Sequence, residues 1–387
     1  MRHVRSATLP LYVGGFLGPF GGAVLAVLIP ELRDAFDAST AEIAAAVPAY
    51  LVPFALLQVG SGTIAERVGR RRVVTLAYLL YAAASLAAAA APGIHVFLLC
   101  RALQGTANAF TSPVLLAGLA DAVPPSQRGR AVGTFAGVQA AGISLAPLLG
   151  GLAAEISWRL AFVVPALVAL GLVAVPPAEG VRSGPPHPSF RSVLTPRMAA
   201  LCAAGFAGYV GMTGLAFLVS LRSVDAFGLG ATARGLLLAA FGAAGMMLGR
   251  SAGRAVDRLG RIRAVVVAAA VCAAAVAPLG VARPAGVYAA LWLLAGAGSA
   301  LLWAGLNTVA LEAVPANRAG AVSVFAAAKF AGTAVAPLVW LPLYHGSSGE
   351  AFLAAAAVTA TIVPIALVLR RLPPARQPAP PPAPQPG

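Results

Sequence analysis

Twelve times between residues 9 and 369 the sequence runs for about 20 residues on mostly apolar side chains, with charge, Pro and Gly gathered in the gaps. No other feature restricts the fold as strongly. A helix rises about 1.5 Å per residue, so each run matches the roughly 30 Å hydrocarbon core of a bilayer. The expected spans are 9–30, 42–64, 73–92, 94–120, 131–153, 158–177, 198–221, 232–253, 264–282, 285–311, 319–343 and 350–369. Composition agrees: 59% of the 387 residues are hydrophobic and 10% charged, where a soluble domain carries about 25% charged residues. Arg2 and Arg5 precede the first run as in a secretory signal, but the run is too long for a signal core and lacks a small-residue cleavage site. Cys100, Cys202 and Cys272 all fall inside expected spans, which implies no disulfide framework.

The formal net charge of +15 would suit a nucleic-acid partner, but its distribution does not. With the N-terminus in the cytoplasm and the spans alternating, the outer side receives Arg33, Arg159, Arg222, Arg234 and Arg283. Arg101 and Lys329 fall inside the membrane, and the rest of the 27 basic residues face the cytoplasm. Such an asymmetry is the positive-inside signal, which places both termini in the cytoplasm of a multi-pass protein of the inner membrane. The expected partner is therefore the lipid bilayer rather than nucleic acid, and the expected state is monomeric.

The chain also repeats itself. "RGRAVGTFAGVQAAGISLAP" at 128–147 matches "RAGAVSVFAAAKFAGTAVAP" at 318–337, and "DAVP" at 121 matches "EAVP" at 312. The offset of 190 to 191 residues, near half the length, implies two six-helix halves, 1–177 and 198–371. Residues 178–197 between them are rich in Pro, Gly and Ser and read as a cytoplasmic linker. Residues 372–387 read as a disordered, Pro-rich tail.

The most specific motif is also doubled. "GTIAERVGRRRVV" at 62–74 gathers one Glu and four Arg into seven residues, and "GRAVDRLGRIRAV" at 253–265 repeats the arrangement. The first copy holds Gly62, Glu66, Arg67, Gly69, Arg70 and Arg71, the second Gly253, Asp257, Arg258, Gly260 and Arg261. Gly69 and Gly260 permit a tight turn with positive φ. Glu66 sits at a helix end, where a carboxylate can face the positive N-terminus of a neighbouring helix, and the flanking arginines can hold it.

These residues resemble the signature between helices 2 and 3 of the major facilitator superfamily, with Glu66 where the family usually has Asp. The resemblance covers essentially the whole chain and implies an all-α membrane protein of twelve helices in two pseudo-symmetric six-helix bundles. It further implies that the doubled motif latches the cytoplasmic side when the protein faces outward. Arg101, Gln104 and Gly105 match an Arg-x-x-Gln-Gly pattern of helix 4, which implies a part for Arg101 in proton coupling or in organising the cavity. Gly133, Gly142, Pro147, Gly150 and Gly151 resemble the helix-5 pattern of the drug:proton antiporter group, with Ala146 in place of one Gly. "SWRLAF" at 157–162 resembles a helix-6 motif of drug exporters. Helices 1, 4, 7 and 10 line the central path in this family, so Arg101, Gln104, Asn108 and Asn307 are expected to be reachable from water.

Lys329 is the only lysine. It lies eleven residues after Arg318, about 16 Å into the membrane, and its repeat-mate is Gln139. A charge at such depth costs about 2.5–3.5 kcal/mol on insertion scales, so it is a functional candidate by default. No acidic residue lies deep in a span, so Lys329 either meets an anionic substrate group, carries the coupling proton, or bonds carbonyls for packing. His3, His95, His187 and His345 are scattered, so no metal site is expected. No soluble-enzyme constellation or phosphate-cradling loop appears, and no cofactor is expected. The sequence reads as a secondary transporter exporting a drug-like compound or metabolite by proton antiport. Uptake, or efflux of a sugar, nucleoside or amino-acid-like solute, is the alternative.

Overall fold

The computed structural model describes residues 2–124, 127–175 and 193–373, and every regular element among them is helical. The first part carries α1 (Arg2–Ala23), α2 (Ile29–Phe36), α3 (Thr40–Ala44), α4 (Ala46–Val68), α5 (Arg70–Ala89), α6 (Ile94–Ala109), α7 (Ser112–Ala122), α8 (Arg128–Ala154) and α9 (Leu160–Val173). The second carries α10 (Pro196–Gly211), α11 (Ala216–Asp225), α12 (Ala231–Leu259), α13 (Arg261–Val276), α14 (Ala285–Ala313), α15 (Arg318–Gly346), α16 (Ser348–Ala360) and α17 (Ile362–Arg371). Among the described residues, ten stretches are long and apolar enough to cross a membrane. The two other expected spans are present as shorter apolar helices, the fourth as α6 with α7 and the sixth as the 14-residue α9.

Several spans read as continuous are interrupted, among them the fourth and the twelfth. Residues 94–120 break at Phe110 and Thr111, because Thr111 Oγ1 donates back to the Asn108 carbonyl at 2.9 Å and to Asn108 Oδ1 at 2.7 Å. Pro113 then opens α7 without an N–H to continue the ladder. Residues 350–369 break at Thr361, three residues before Pro364, whose ring would meet the carbonyl one turn back. The expected linker lies outside the described residues up to 192. Its end leads into α10, where Thr195 Oγ1 accepts from Met198 N at 3.1 Å and Pro196 takes the first helical position. The expected tail lies outside the described residues from 374 on.

Each packing pair in the first part recurs in the second at the same chain offset. The helix α1 packs on α8 as α10 packs on α15, α4 on α6 as α12 on α14, and α5 on α9 as α13 on α16 and α17. Small residues permit this closeness: a Cβ on Gly142 would press on the Phe16 carbonyl, and one on Gly305 on the Val265 side chain.

The two parts meet along α8 against α12 and α4 against α15. On one face of α12, Gly235 touches the Pro147 carbonyl and Gly242 touches Ser144, while Gly151 of α8 touches the Ala231 carbonyl. The same faces continue, seven residues per step, to Gly249 on α12 and Gly137 on α8. There a Cβ would meet nothing within 4 Å, and Gly133 and Gly253 are equally free. The seam is therefore shut at the end away from the Arg-rich turns and splayed toward them. The α4–α15 seam is closed at its middle by Phe54 against Phe330, edge to face with ring centroids 5.2 Å apart.

Candidate functional site

At the Arg-rich end, one turn geometry occurs twice. Gly69 joins α4 to α5 with φ 107° and ψ 123°, and Gly260 joins α12 to α13 with φ 81° and ψ 146°. Each glycine ends one helix and starts the next, a junction that a Cβ would oppose. The motif arginines pair within their own part. Arg70 binds Asp121 at the end of α7, and Arg261 binds Glu312 at the end of α14, both at 2.5 Å. The sequence reading gives the carboxylate role to Glu66, whose side chain lies outside the described residues, and none to Asp121 or Glu312. Their signal was present: they are the acidic residues of the matched "DAVP" and "EAVP". Arg67, Arg71, Asp257 and Arg258 are exposed, and Gly62 and Gly253 face open space.

Deeper in the first part, a polar chain runs through the apolar interior. Ser85 of α5 accepts from Gln104 Nε2 at 2.9 Å, and Gln104 Oε1 accepts from Arg101 Nη1 at 2.7 Å. The Arg101 guanidinium lies 4.4 Å from the centroid of Tyr50, whose hydroxyl donates to the Gly18 carbonyl at 2.9 Å and accepts from Asn108 Nδ2 at 2.7 Å. This corrects the expectation that these groups are reachable from water. Arg101 and Gln104 are each 1% exposed and Asn108 4%, because they satisfy one another across α1, α4, α5 and α6. Arg101 nevertheless keeps Nε and Nη2 without a hydrogen-bond partner.

The second part holds Lys329 in a different setting. Its Nζ is 4.9 Å from the centroid of Phe325, 5.6 Å from Trp303 and 5.7 Å from Tyr209, and it is half-buried. Tyr209 and Trp303 meet edge to face at 4.8 Å. Each ring within about 6 Å attracts a cation by about 0.5–2 kcal/mol. Three rings thus offset much of the about 2.5–3.5 kcal/mol of burying the charge. The structure brings α10, α14 and α15 together here. The sequence offered no polar signal for these rings, which read as packing residues. Asn307 is exposed one turn from Trp303 on the same face of α14, and Gln139 is half-buried on the splayed part of α8. Of the helix-5 pattern, Pro147 and Gly151 face α12 in the seam, Gly142 and Gly150 pack on Phe16, Val24 and Val27 within the first part, and Gly133 is free.

The shut end has its own polar contacts between the two parts. Arg234, 3% exposed, donates to the Val27 carbonyl at 2.9 Å and pairs with Glu31 of α2. Glu155 Oε1, at the end of α8, accepts from the Thr232 backbone N–H at the start of α12 at 3.0 Å. That bond at a helix N-terminus holds the Glu155 carboxyl below its ordinary pKa. None of these five residues carries a role in the sequence reading, because nothing local marks them before the halves are brought together.

Comparison with known proteins fits this geometry. The sequence profile of the Major Facilitator Superfamily matches residues 11–294 and 201–387. The puromycin resistance protein pur8 of Streptomyces alboniger is 33% identical over 151 residues, 38% of this chain and 30% of that protein. The lincomycin resistance protein of Streptomyces lincolnensis is 36% identical over 157 residues, 39% of this chain and 32% of that protein. The chain thus matches about a third of the length of these curated relatives. Among solved structures, a bacterial homolog of the human lysosomal transporter Spinster, inward-facing and occupied, superposes with a TM-score of 0.77 at 18% identity, covering 95% of this chain and 97% of that one. A D-xylose–proton symporter gives 0.76 at 19% identity, covering 96% and 99%. At these identities the likeness is one of fold. With the profile spanning nearly the whole sequence, and the doubled motif set on the same glycine turn in both copies, the chain belongs to the Major Facilitator Superfamily.

Proposed function

We propose that this chain is a secondary active transporter that exports a small molecule in exchange for protons. Residues 1–177 and 198–371 act as two halves that rock about a central site, joined by the linker 178–197 and followed by the tail 372–387. The Arg-rich face is cytoplasmic, both termini lie there, and the protein works as a monomer in the inner membrane. The observation that carries this reading is the one-ended seam: α8 and α12 touch at Gly151, Gly235 and Gly242 and part at Gly137 and Gly249. A wedge of this kind is one of the two states that alternating access requires. Export is favoured over uptake by the resistance proteins among the relatives and by the helix-5 small-residue pattern. In this state the described ion pairs of the doubled motif, Arg70 with Asp121 and Arg261 with Glu312, stay within their own halves. The motif would close the cytoplasmic face in the opposite state.

The test is transport by the purified protein in proteoliposomes, with puromycin, lincomycin and 1-naphthalenesulfonate as labelled solutes. An antiporter accumulates its solute when the lumen is acidic, and a protonophore abolishes the accumulation. Accumulation driven only by an alkaline lumen would make the protein a symporter and revive the uptake reading. Absence of counterflow for every solute would count against a carrier.

A further inference from the structure

Lys329 stands eleven residues inside α15, yet every described acidic residue lies outside the helices or in the first or last turn of one. Its ammonium therefore has rings where a buried cation usually has a carboxylate. The rings come from three helices and leave the group half-buried rather than sealed. The close approach of α10 at Gly205, where a Cβ would lie 3.3 Å from Lys329 Cγ, keeps the stem of the lysine in place. Exposed Asn307, one turn from Trp303 toward the splayed end, marks the way in.

A second cation lies in the other part. Arg101 sits on Tyr50, Tyr50 stacks on Phe54 at 6.4 Å, and Phe54 meets Phe330, the neighbour of Lys329. A row of aromatic rings thus runs from Arg101 across the seam to Phe330, next to Lys329 in the sequence of α15, and no described acid lies among them. A cationic solute entering here would meet like charge without compensation, while an anion would supply the missing countercharge.

We infer that the Lys329 pocket binds an aromatic organic anion, with the anionic group on Nζ and the apolar plane against Trp303 and Tyr209. This deepens the transporter reading and rests on it for the claim that the bound anion is cargo.

The test is equilibrium binding of radiolabelled 1-naphthalenesulfonate, which stays charged at all working pH values, to the full chain in lipid nanodiscs. Binding is expected to be saturable. Excess unlabelled sulfonate should displace it, and 1-naphthylmethyl-trimethylammonium should not. Lys329→Gln should weaken binding about tenfold or more, Lys329→Arg by no more than about threefold, and Trp303→Leu several-fold. No saturable binding, equal affinity in Lys329→Gln, or displacement by the ammonium isostere on the wild-type protein would each overturn the inference. Counterflow in proteoliposomes separates the two readings. Sulfonate bound while no solute is carried supports the site and counts against the carrier, whereas puromycin carried without sulfonate binding overturns the site and keeps the carrier.

Discussion

Gly69 and Gly260 occupy backbone conformations, φ 107° and 81°, that side chains with a Cβ rarely adopt. Each sits between two long helices with no loop residue to take up strain. A Val at either place would cost about 1–3 kcal/mol of backbone strain, borne by the junction that carries the doubled motif. Gly69→Val is therefore expected to insert into the membrane, melt at lower temperature and lose most transport. The ion pair beside it behaves differently. Asp121 is 48% exposed, and pairs of that kind contribute about 0–1 kcal/mol. Asp121→Asn should leave the melting temperature nearly unchanged in differential scanning fluorimetry. Equal losses in both variants would mean that the turn matters only through its charges.

Among the elements, α8 and α12 are the ones that decide which face is open in the proposed cycle. Their small-residue stripes run past the closed stretch into the splayed one, so the same device is available for closing the other end. A Leu at Gly151 would be driven into the Ala231 carbonyl and should pry the shut end open. A Leu at Gly137 or Gly249 meets nothing in the present state and should block closure of the splayed end. The readout is a single cysteine at Ser144, 8% exposed in the seam, placed in a background without Cys100, Cys202 and Cys272. Gly151→Leu should speed its reaction with a polar thiol reagent, while Gly249→Leu should keep it protected even with substrate present. Both variants should lose transport for these opposite reasons. If Gly249→Leu transports normally, α8 and α12 do not meet at that end in the cycle.

Over the whole molecule, the shut end joins the two parts through Arg234 with Glu31 and Val27, and through Glu155 with the N-terminus of α12. The Glu155 carboxyl is held below its ordinary value of 4.5, first by the hydrogen bond from the Thr232 backbone and least by the nearby Arg234. A depressed carboxyl pKa means the contact is complete above the ordinary value and is lost as pH falls through the depressed one. Acidifying that face below the ordinary value should therefore raise the reactivity of the Ser144 cysteine relative to that of a fully exposed cysteine at the same pH. Glu155→Gln should flatten that rise, and a pH response identical in the two proteins would place the sensitivity elsewhere.

The long apolar helices, the repeat and the doubled turn were legible in the sequence because they depend on local properties. Length, hydropathy and a glycine where φ must be positive are set residue by residue, and a bilayer reads them without reference to the rest of the chain. Lys329 was legible for the same reason: a charge eleven residues from a helix end needs no neighbours to be conspicuous. What surrounds it was not. Tyr209, Trp303 and Phe325 belong to three helices and are ordinary apolar residues until packing turns their faces toward one ammonium. The burial of Arg101, Gln104 and Asn108 likewise followed from Ser85, Tyr50 and Gly18, which lie 16 to 90 residues away in the chain and within hydrogen-bond or ring contact in space. Which end of the seam is shut was beyond the sequence altogether. Both ends carry the same small residues, and only the tertiary arrangement of two rigid bundles chooses between them.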